Sequence, residues 1–259
     1  MSFSIPSLSP FITPITIASA GGTASTLLLH FDGTNGQTTT SDSSANAVSI
    51  TMNSYAGTLA LSSTQTKFGS TVFATTGSNI GYTTFPNSSL FNFGSNNWTI
   101  DFWWQPVTIP TTTASINYTH FHTNFSGASS PIPGIMLRRN SRLDGGEFLV
   151  ALSTDGSTQT TYNTSYGSWT IGTWYHIAIE RHGSNINFYI DGAKISMSTT
   201  FSGSIYYNAA NVICFGGGFL TTFGQSNYTE SYYDEFRIVN GTALYGSTSF
   251  TRPTSPYTS

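Results

Sequence analysis

Charge is the scarcest commodity in this chain of 259 residues. Asp, Glu, Lys and Arg together make 7% of it, against about 25% in an ordinary globular protein. Eight Lys plus Arg and a net charge of −3 leave no basic stripe to neutralise phosphates, so nucleic acid is excluded as a main partner. A single cysteine, Cys214, excludes an intramolecular disulfide and reads as a small buried hydrophobe. No apolar run approaches the roughly 18 residues of a membrane-crossing helix, so no membrane span is expected. No Lys or Arg precedes Lys67, and Pro6, Pro10 and Pro14 interrupt every apolar run of the first 24 residues. A signal peptide needs a basic start and an unbroken apolar stretch, so the expectation is a protein made without Sec-type export. The strong helix formers Glu, Lys, Arg and Gln are also scarce, which leaves little material for helices.

What is present points one way. Ser and Thr number 38 and 41, Gly 25, and aromatics make 15% of the chain. Disordered chains lack aromatics and carry charge, so disorder is excluded. Thr, Tyr, Phe and Trp favour strands, and Ser, Gly, Asn and Pro favour turns. Water is met by hydroxyls, amides and bare backbone, and the fold class is all-β.

Residues 1–24 read as an extended N-terminal arm, because prolines at this spacing forbid helix. Phe3, Ile5, Leu8, Phe11 and Ile12 make it too apolar for a free linker, so it is expected to dock on a partner or on another copy of the chain. Residues 25–259 read as one domain. Leu27, Leu29 and Phe31 alternate with Leu28, His30 and Asp32. Trp98, Ile100, Phe102 and Trp104 alternate with Thr99, Asp101, Trp103 and Gln105. Ile186, Phe188 and Ile190 alternate with Asn185, Asn187 and Tyr189, and Asp191-Gly192 supplies a hairpin turn. Phe236 and Ile238 alternate with Glu235, Arg237 and Val239. Weaker strand signals lie at 47–52, 71–75, 134–139, 147–153, 174–181 and 212–216. A dozen short strands with no helical period predict a two-sheet sandwich.

An ordered set of motifs runs along the chain: Leu27-Leu28-Leu29-His30-Phe31-Asp32-Gly33, Lys67-Phe68-Gly69, Phe91-Asn92-Phe93-Gly94 and Trp98-Thr99-Ile100-Asp101-Phe102-Trp103. Then come Trp174-Tyr175-His176-Ile177-Ala178, Asn187-Phe188-Tyr189-Ile190-Asp191-Gly192, Asp234-Glu235-Phe236-Arg237-Ile238 and Phe250-Thr251-Arg252-Pro253. The set resembles the laminin G-like domains of the concanavalin A-like lectin/glucanase superfamily, in their phage and bacterial form, over residues 26–257. The resemblance implies a jelly-roll sandwich of two antiparallel sheets. Relatives mostly bind glycans, calcium or other proteins, and some are glycosidases.

Glycosidases of this superfamily carry a Glu-x-Asp-x-x-Glu strand, and no such spacing occurs here. Glu230 and Glu235 are the only close pair of Glu, and five residues apart in one strand they take opposite faces. The expectation is a protein that is not an enzyme. His120 and His122, two apart on one strand face, would form half a zinc site with no third ligand signalled; the favoured alternative is a wet or hydrogen-bonded pair. Calcium is the one cofactor the resemblance implies: Asp32 ends the first core strand, Asp234 begins the last, and such strands commonly lie together. The alternative is that these two carboxylates cap turns or pair with Arg237. Sugars are held by planar amides and carboxylates with an aromatic ring beneath. Trp103, Tyr162, Tyr166 and Trp169, with Asn163 and Asp155, supply such groups; the alternative is that these aromatics only pack. Seven Asn-x-Ser/Thr sequons, Asn87 and Asn124 among them, occur at the frequency that abundant Ser and Thr produce by chance.

Together these features lead to the expectation of an exposed phage virion protein, a head decoration or a fibre or tip subunit. It would be made in the host cytoplasm and displayed on the virion surface, with a lectin-like domain for host glycans. Its arm would join other virion proteins or further copies of itself. The alternative is a cellular carbohydrate-binding protein without catalytic activity.

Overall fold

A computed structural model describes residues 24–77, 80–109, 116–125, 132–141, 146–164, 167–197, 200–217, 230–246 and 248–259. The arm residues Phe3, Ile5, Leu8, Phe11 and Ile12, and also Tyr166, lie outside the described residues. Among those residues the chain is built of strands, with one 3-10 turn at Ser89–Phe91.

Two antiparallel sheets face each other, as the alternation patterns predict. The first has the order β13 (Ala193–Ile195), β12 (Asn185–Ile190), β11 (Tyr175–His182), β6 (Trp98–Pro106), β15 (Ser231–Asn240), β4 (Val72–Thr75), β3 (Ala60–Ser62), with β1 (Leu27–Leu29) also on β15. The second has the order β10 (Thr160–Asn163), β9 (Phe148–Leu152), β8 (Ile135–Ser141), β7 (Ile116–Phe125), β14 (Val212–Phe215), β5 (Ile80–Pro86), β2 (Thr51–Ala56). Sequence neighbours such as β11 and β12 pair as hairpins, while β6 sits between β11 and β15. That interleaving is the mark of a jelly roll rather than a meander.

The core lies between the sheets. Trp98, Ile100, Phe102 and Trp104 of β6, Phe188 and Ile190 of β12, and Phe236 of β15 all point into it. Rings meet edge-on or offset, as between Trp104 and Trp169 at 5.1 Å and Phe215 and Phe236 at 3.9 Å. Burying one such side chain is worth about 1.5–3 kcal/mol.

Register shifts interrupt the alternation, and two of them place polar side chains. The register of β15 against β6 shifts between Asp234 and Arg237, where Glu235 adopts φ 52°. Tyr233 and Phe236, three apart, thus both enter the core, while Asp234 and Arg237 turn outward. A second shift lies between Thr119 and Phe121 of β7. It separates the two histidines that simple alternation would place together. His120 is wedged among Trp104, Phe148 and Tyr233 in the core, whereas His122 sits in register with Cys214 and Met136 on the opposite side of the sheet.

The tail beyond β15 closes the outer face of the eight-stranded sheet. Phe250 donates its N–H to Gly192 O at 2.8 Å, Lys194 donates to Ser249 Oγ at 3.0 Å, and Leu244 donates to Thr99 Oγ1 at 3.0 Å. Gly192, at φ 82°, is required there: a Cβ would lie 2.0 Å from Phe250 O.

Candidate functional site

Two polar assemblies stand outside the core, and they differ in kind. The first lies on the outer face of the eight-stranded sheet beneath the tail. Arg237 donates to Asp101 through Nε at 3.0 Å and Nη2 at 2.6 Å. Tyr245 donates its hydroxyl to the same carboxylate, and His176 Nε2 meets Tyr257 Oη at 2.7 Å. Glu180 accepts from the Tyr189 hydroxyl and from the backbone N–H of Tyr245 at 2.6 Å. Glu235 accepts the N–H of Tyr257 at 2.7 Å and meets His30 Nδ1 at 2.7 Å. Burial alone would push the Asp101 carboxyl up, but Arg237 and His176 hold it well below the usual carboxylate range. The hydrogen bond to Glu235 raises His30 above its ordinary value. Every carboxylate here is spent on sealing the tail to the sheet.

Asp32 and Asp234 do come near one another, each clamping residues 67–70. Asp32 Oδ1 accepts from Ser70 N at 2.6 Å, and its carboxylate lies over Gly69 so closely that a Cβ would meet it at 1.9 Å. Asp234 accepts from the N–H of Phe68 and of Glu235, each at 2.9 Å. Burial, with the charges of Glu235 and Asp32 adding to it, pushes the Asp234 carboxyl up to about 8. Calcium takes six to eight oxygen ligands. These carboxylates already hold backbone N–H groups, and the described residues hold no cluster of three His, Cys, Asp or Glu. As they stand, the two carboxylates cap the 67–70 loop through these N–H groups, the arrangement of the turn-capping alternative rather than of a cage of six oxygen ligands. Pairing of Asp234 with Arg237 is replaced by the Asp101–Arg237 pair.

The second assembly is at one end of the seven-stranded sheet. The β9–β10 connection turns at Asp155, whose Oδ1 accepts from Ser157 N and Thr158 N at 2.8 Å each and whose Oδ2 accepts from Thr158 Oγ1 at 2.9 Å. These bonds, the backbone one from Thr158 first, hold this exposed carboxyl well below the ordinary range. Gly156 follows at φ 71°, and the ring of Tyr206 lies against it: a Cβ would be 2.5 Å from the ring. Tyr206 N donates to Ser153 O at 2.8 Å, which locks the 205–208 segment to the hairpin. Beneath lies a knot of amides. Asn87 Nδ2 donates to Asn124 Oδ1 at 2.6 Å, Asn124 Nδ2 to Tyr206 O at 3.1 Å, and Asn208 N to Asn124 Oδ1 at 3.1 Å. Asn87 and Asn124 are therefore buried framework. Above them the half-buried rings of Tyr206 and Tyr207, the half-buried Asn208, and exposed Asp155 and Thr158 form one corner.

The predicted sugar-binding residues are divided by this arrangement. Asp155, Tyr162 and Asn163 share the β9–β10 hairpin, with Tyr162 giving its hydroxyl to Thr200 O at 3.3 Å and Asn163 exposed. Trp103 is not part of that group. It is fully buried on the far sheet's outer face, with Lys67 Nζ 4.0 Å over its ring and His176 edge-on at 5.4 Å. The tail takes the face a sugar would need. Trp169 is also no platform: its ring joins Trp104, Phe148 and Tyr175 in the core, and its Nε1 donates to Gly146 O at 2.9 Å. Tyr206, Tyr207 and Asn208 escaped the sequence reading. Their signal was two adjacent tyrosines followed by a turn-forming Asn, which carries no period.

Comparison with solved structures finds this architecture in toxin binding domains. The binding domain of Paraclostridial Mosquitocidal Protein 1 superposes with a TM-score of 0.59 at 14% identity, over 88% of this chain and 50% of that one. The binding domain of botulinum neurotoxin serotype D/C gives 0.58 at 14%, over 84% and 49%. Botulinum neurotoxin type C, in work on its dependence on two ganglioside molecules for cell entry, gives 0.59 at 16%, over 88% and 52%. The chain spans about half the length of each, and at such identity the likeness is one of fold. A comparison with curated proteins finds none that matches. A family model, described as Concanavalin A-like lectin/glucanases superfamily, matches residues 76–245, which include β6, β11, β12 and all of β15. With its paired antiparallel sheets and most of its length matched, the chain belongs to the Laminin_G_3 family of that superfamily.

Proposed function

We propose that this chain is a lectin-like attachment domain whose β9–β10 corner binds glycans without cleaving them, and that it is displayed on the exterior of a phage particle. The observation that carries the binding reading is the junction of Gly156 and Tyr206. It sets an aromatic ring beside a carboxylate, a hydroxyl and the Asn208 amide. A pyranose offers C–H faces to a ring and hydroxyls to amides and carboxylates. Asp155 Oδ2 and Asn208 would order the hydroxyls, Tyr206 would support the ring face, and the site would be shallow. Because Asp155 is held by the N–H groups of its own turn, Tyr206 by Ser153 O and Asn208 by Asn124 Oδ1, little ordering is left for binding to oppose.

The reading of binding without cleavage is supported by the described carboxylates: Asp101, Glu180 and Glu235 bond within the tail network, Asp155 within its turn, and Asp32 and Asp234 to the 67–70 loop. Related folds in toxin binding domains are described in complex with SialylT and with rat synaptotagmin II, so the architecture serves both sugar and protein ligands elsewhere. Display on a virion is supported by a surface that replaces charge with hydroxyls and by the apolar arm. Labelling intact particles with an antibody to the domain tests the location. A glycan array probed with the full chain, Tyr206→Ala and Asp155→Ala tests the site: binding lost in both variants, with unfolding unchanged, is expected. Binding by both variants equal to that of the unaltered chain would place the site elsewhere.

A further inference from the structure

Lys and Arg together number eight in this chain, and two of them meet at one indole. Lys67 Nζ lies 4.0 Å from the centroid of the Trp103 ring, and the Arg252 guanidinium lies 5.7 Å from it. Lys67 belongs to the loop that Asp32 and Asp234 clamp, and Arg252 to the tail that Gly192 holds through Phe250 N–H. Two segments far apart in sequence, each fixed by hydrogen bonds, thus deliver positive charge to one place.

Little cancels that charge. Among the described residues the Lys67 ammonium makes no ion pair and no hydrogen bond; its contacts are the rings of Trp103 and Phe68. The carboxylates within electrostatic reach of it are Asp191 and Asp234. Asp191 Oδ1 already accepts from the His176 N–H and from Arg252 Nη1, each at 3.0 Å. Asp234, pushed up to about 8 by burial, is mostly protonated at pH 7 and offers little countercharge. Burial first, and then the charge of Arg252, lower the Lys67 ammonium below its ordinary value. A guanidinium carries five N–H donors, and exposed Arg252 gives Asp191 only those of one nitrogen. Beneath the two cations, Trp103 Nε1 is buried and has no acceptor among the described residues. Buried donors ordinarily have one.

We propose that Lys67 and Arg252, at the Trp103 indole, form a binding site for one oxyanion group: a sulfate, a phosphate or a carboxylate. Such a group relieves the repulsion between the two cations through charge-assisted hydrogen bonds. The edge of an indole is its positive part, so the Trp103 N–H is a further donor to the same group. With Lys67 half-buried and Arg252 exposed, the site opens to solvent. It lies on the outer face of the eight-stranded sheet, and the inference is independent of glycan binding at the β9–β10 corner.

The test follows the Trp103 indole N–H and the amides of Lys67, Phe68 and Arg252 in nitrogen-15 spectra of the full chain. Sodium sulfate is titrated against sodium chloride at equal ionic strength. Sulfate should shift these signals in a saturable manner and chloride should not. Lys67→Gln and Arg252→Gln should each weaken sulfate binding about tenfold, as loss of one charged hydrogen-bond donor does. Lys194→Gln, which leaves both cations in place, should titrate like the unaltered chain. Thermal melts of the three variants confirm that each is folded. Methyl sulfate separates the sources of the group: binding as tight as sulfate means a group carried on a larger ligand, and binding of sulfate alone means a free ion. Chloride acting like sulfate, or sulfate binding unchanged in both Lys67→Gln and Arg252→Gln, would overturn the proposal.

Discussion

Arg237 and Asp101 meet at two points on the outer face of the eight-stranded sheet, Nε to Oδ1 at 3.0 Å and Nη2 to Oδ2 at 2.6 Å, with neither side chain open to solvent. Their strands are hydrogen-bonded neighbours, and the residues are directly in register. The tail then lays Tyr245 against the carboxylate and the Tyr257 ring 3.9 Å from the guanidinium. This pair joins two central strands to the last 19 residues of the chain.

Breaking the pair from one side leaves a buried charge alone. Arg237→Leu is expected to lower unfolding free energy by about 3–5 kcal/mol. Adding Asp101→Leu should recover part of that, because the second charge then no longer needs a partner. Urea unfolding of the two single variants and the double variant measures the coupling; additive losses would mean the pair acts through packing alone.

Acid should weaken the fold. Burial holds the His122 imidazole down at about 4 and keeps His120, with Arg139 adding repulsion, well below its ordinary range. In the unfolded chain both take up protons near pH 6.5, so the unfolded state binds more protons between about 6.5 and 4. Stability is therefore lost as pH falls through that window. Melting temperature followed from pH 7 to pH 4 should drop steeply, and His122→Gln should flatten part of the slope.

Asp234 acts in the opposite sense. Its folded value of about 8 lies above the ordinary 3.8, so the folded state keeps a proton that the unfolded chain has released. Its contribution is present below about pH 4 and declines as pH rises toward 8. Asp234→Asn keeps an acceptor for Phe68 N–H and should be stabilising by a few kcal/mol at pH 8.5, and without effect near pH 4. Equal effects at the two pH values in a two-point denaturation experiment would contradict this.

Two tryptophan and tyrosine substitutions separate core from site. Trp169→Ala should cost about 3–5 kcal/mol of stability, as removal of a large core ring does. Tyr206→Ala should cost far less and act on glycan binding. Thermal melts of both variants check the division.

Much of this was legible in the sequence, for identifiable reasons. The alternation in β6 was enough to place Trp98, Ile100, Phe102 and Trp104 in the core, because burial on one face imposes period two. The same alternation placed Trp103 correctly on the outer face and still misread its use. What covers it is Arg252, 5.7 Å from its ring and 149 positions along the chain, together with Lys67. Contacts of that separation leave no trace in a local pattern. The histidine pair failed for another reason. A bulge of one residue moves every later side chain to the other face, and nothing in Tyr118-Thr119-His120-Phe121 announces it. Asp32 and Asp234 lie near one another, but whether two carboxylates hold a cation or a loop depends on which N–H groups reach them first. The corner at Tyr206 was hidden because its partners, Gly156 and Ser153, come from a different strand connection.

The account rests most on glycan binding at the β9–β10 corner, and amide chemical-shift mapping of the isotope-labelled full chain addresses it directly. Titration with a panel of oligosaccharides should shift the amides of Ser153–Thr158 and Tyr206–Asn208 in a saturable manner, leaving β6 and β15 unmoved. No shifts at millimolar sugar, or shifts confined to the Trp103 and tail surface, would contradict it.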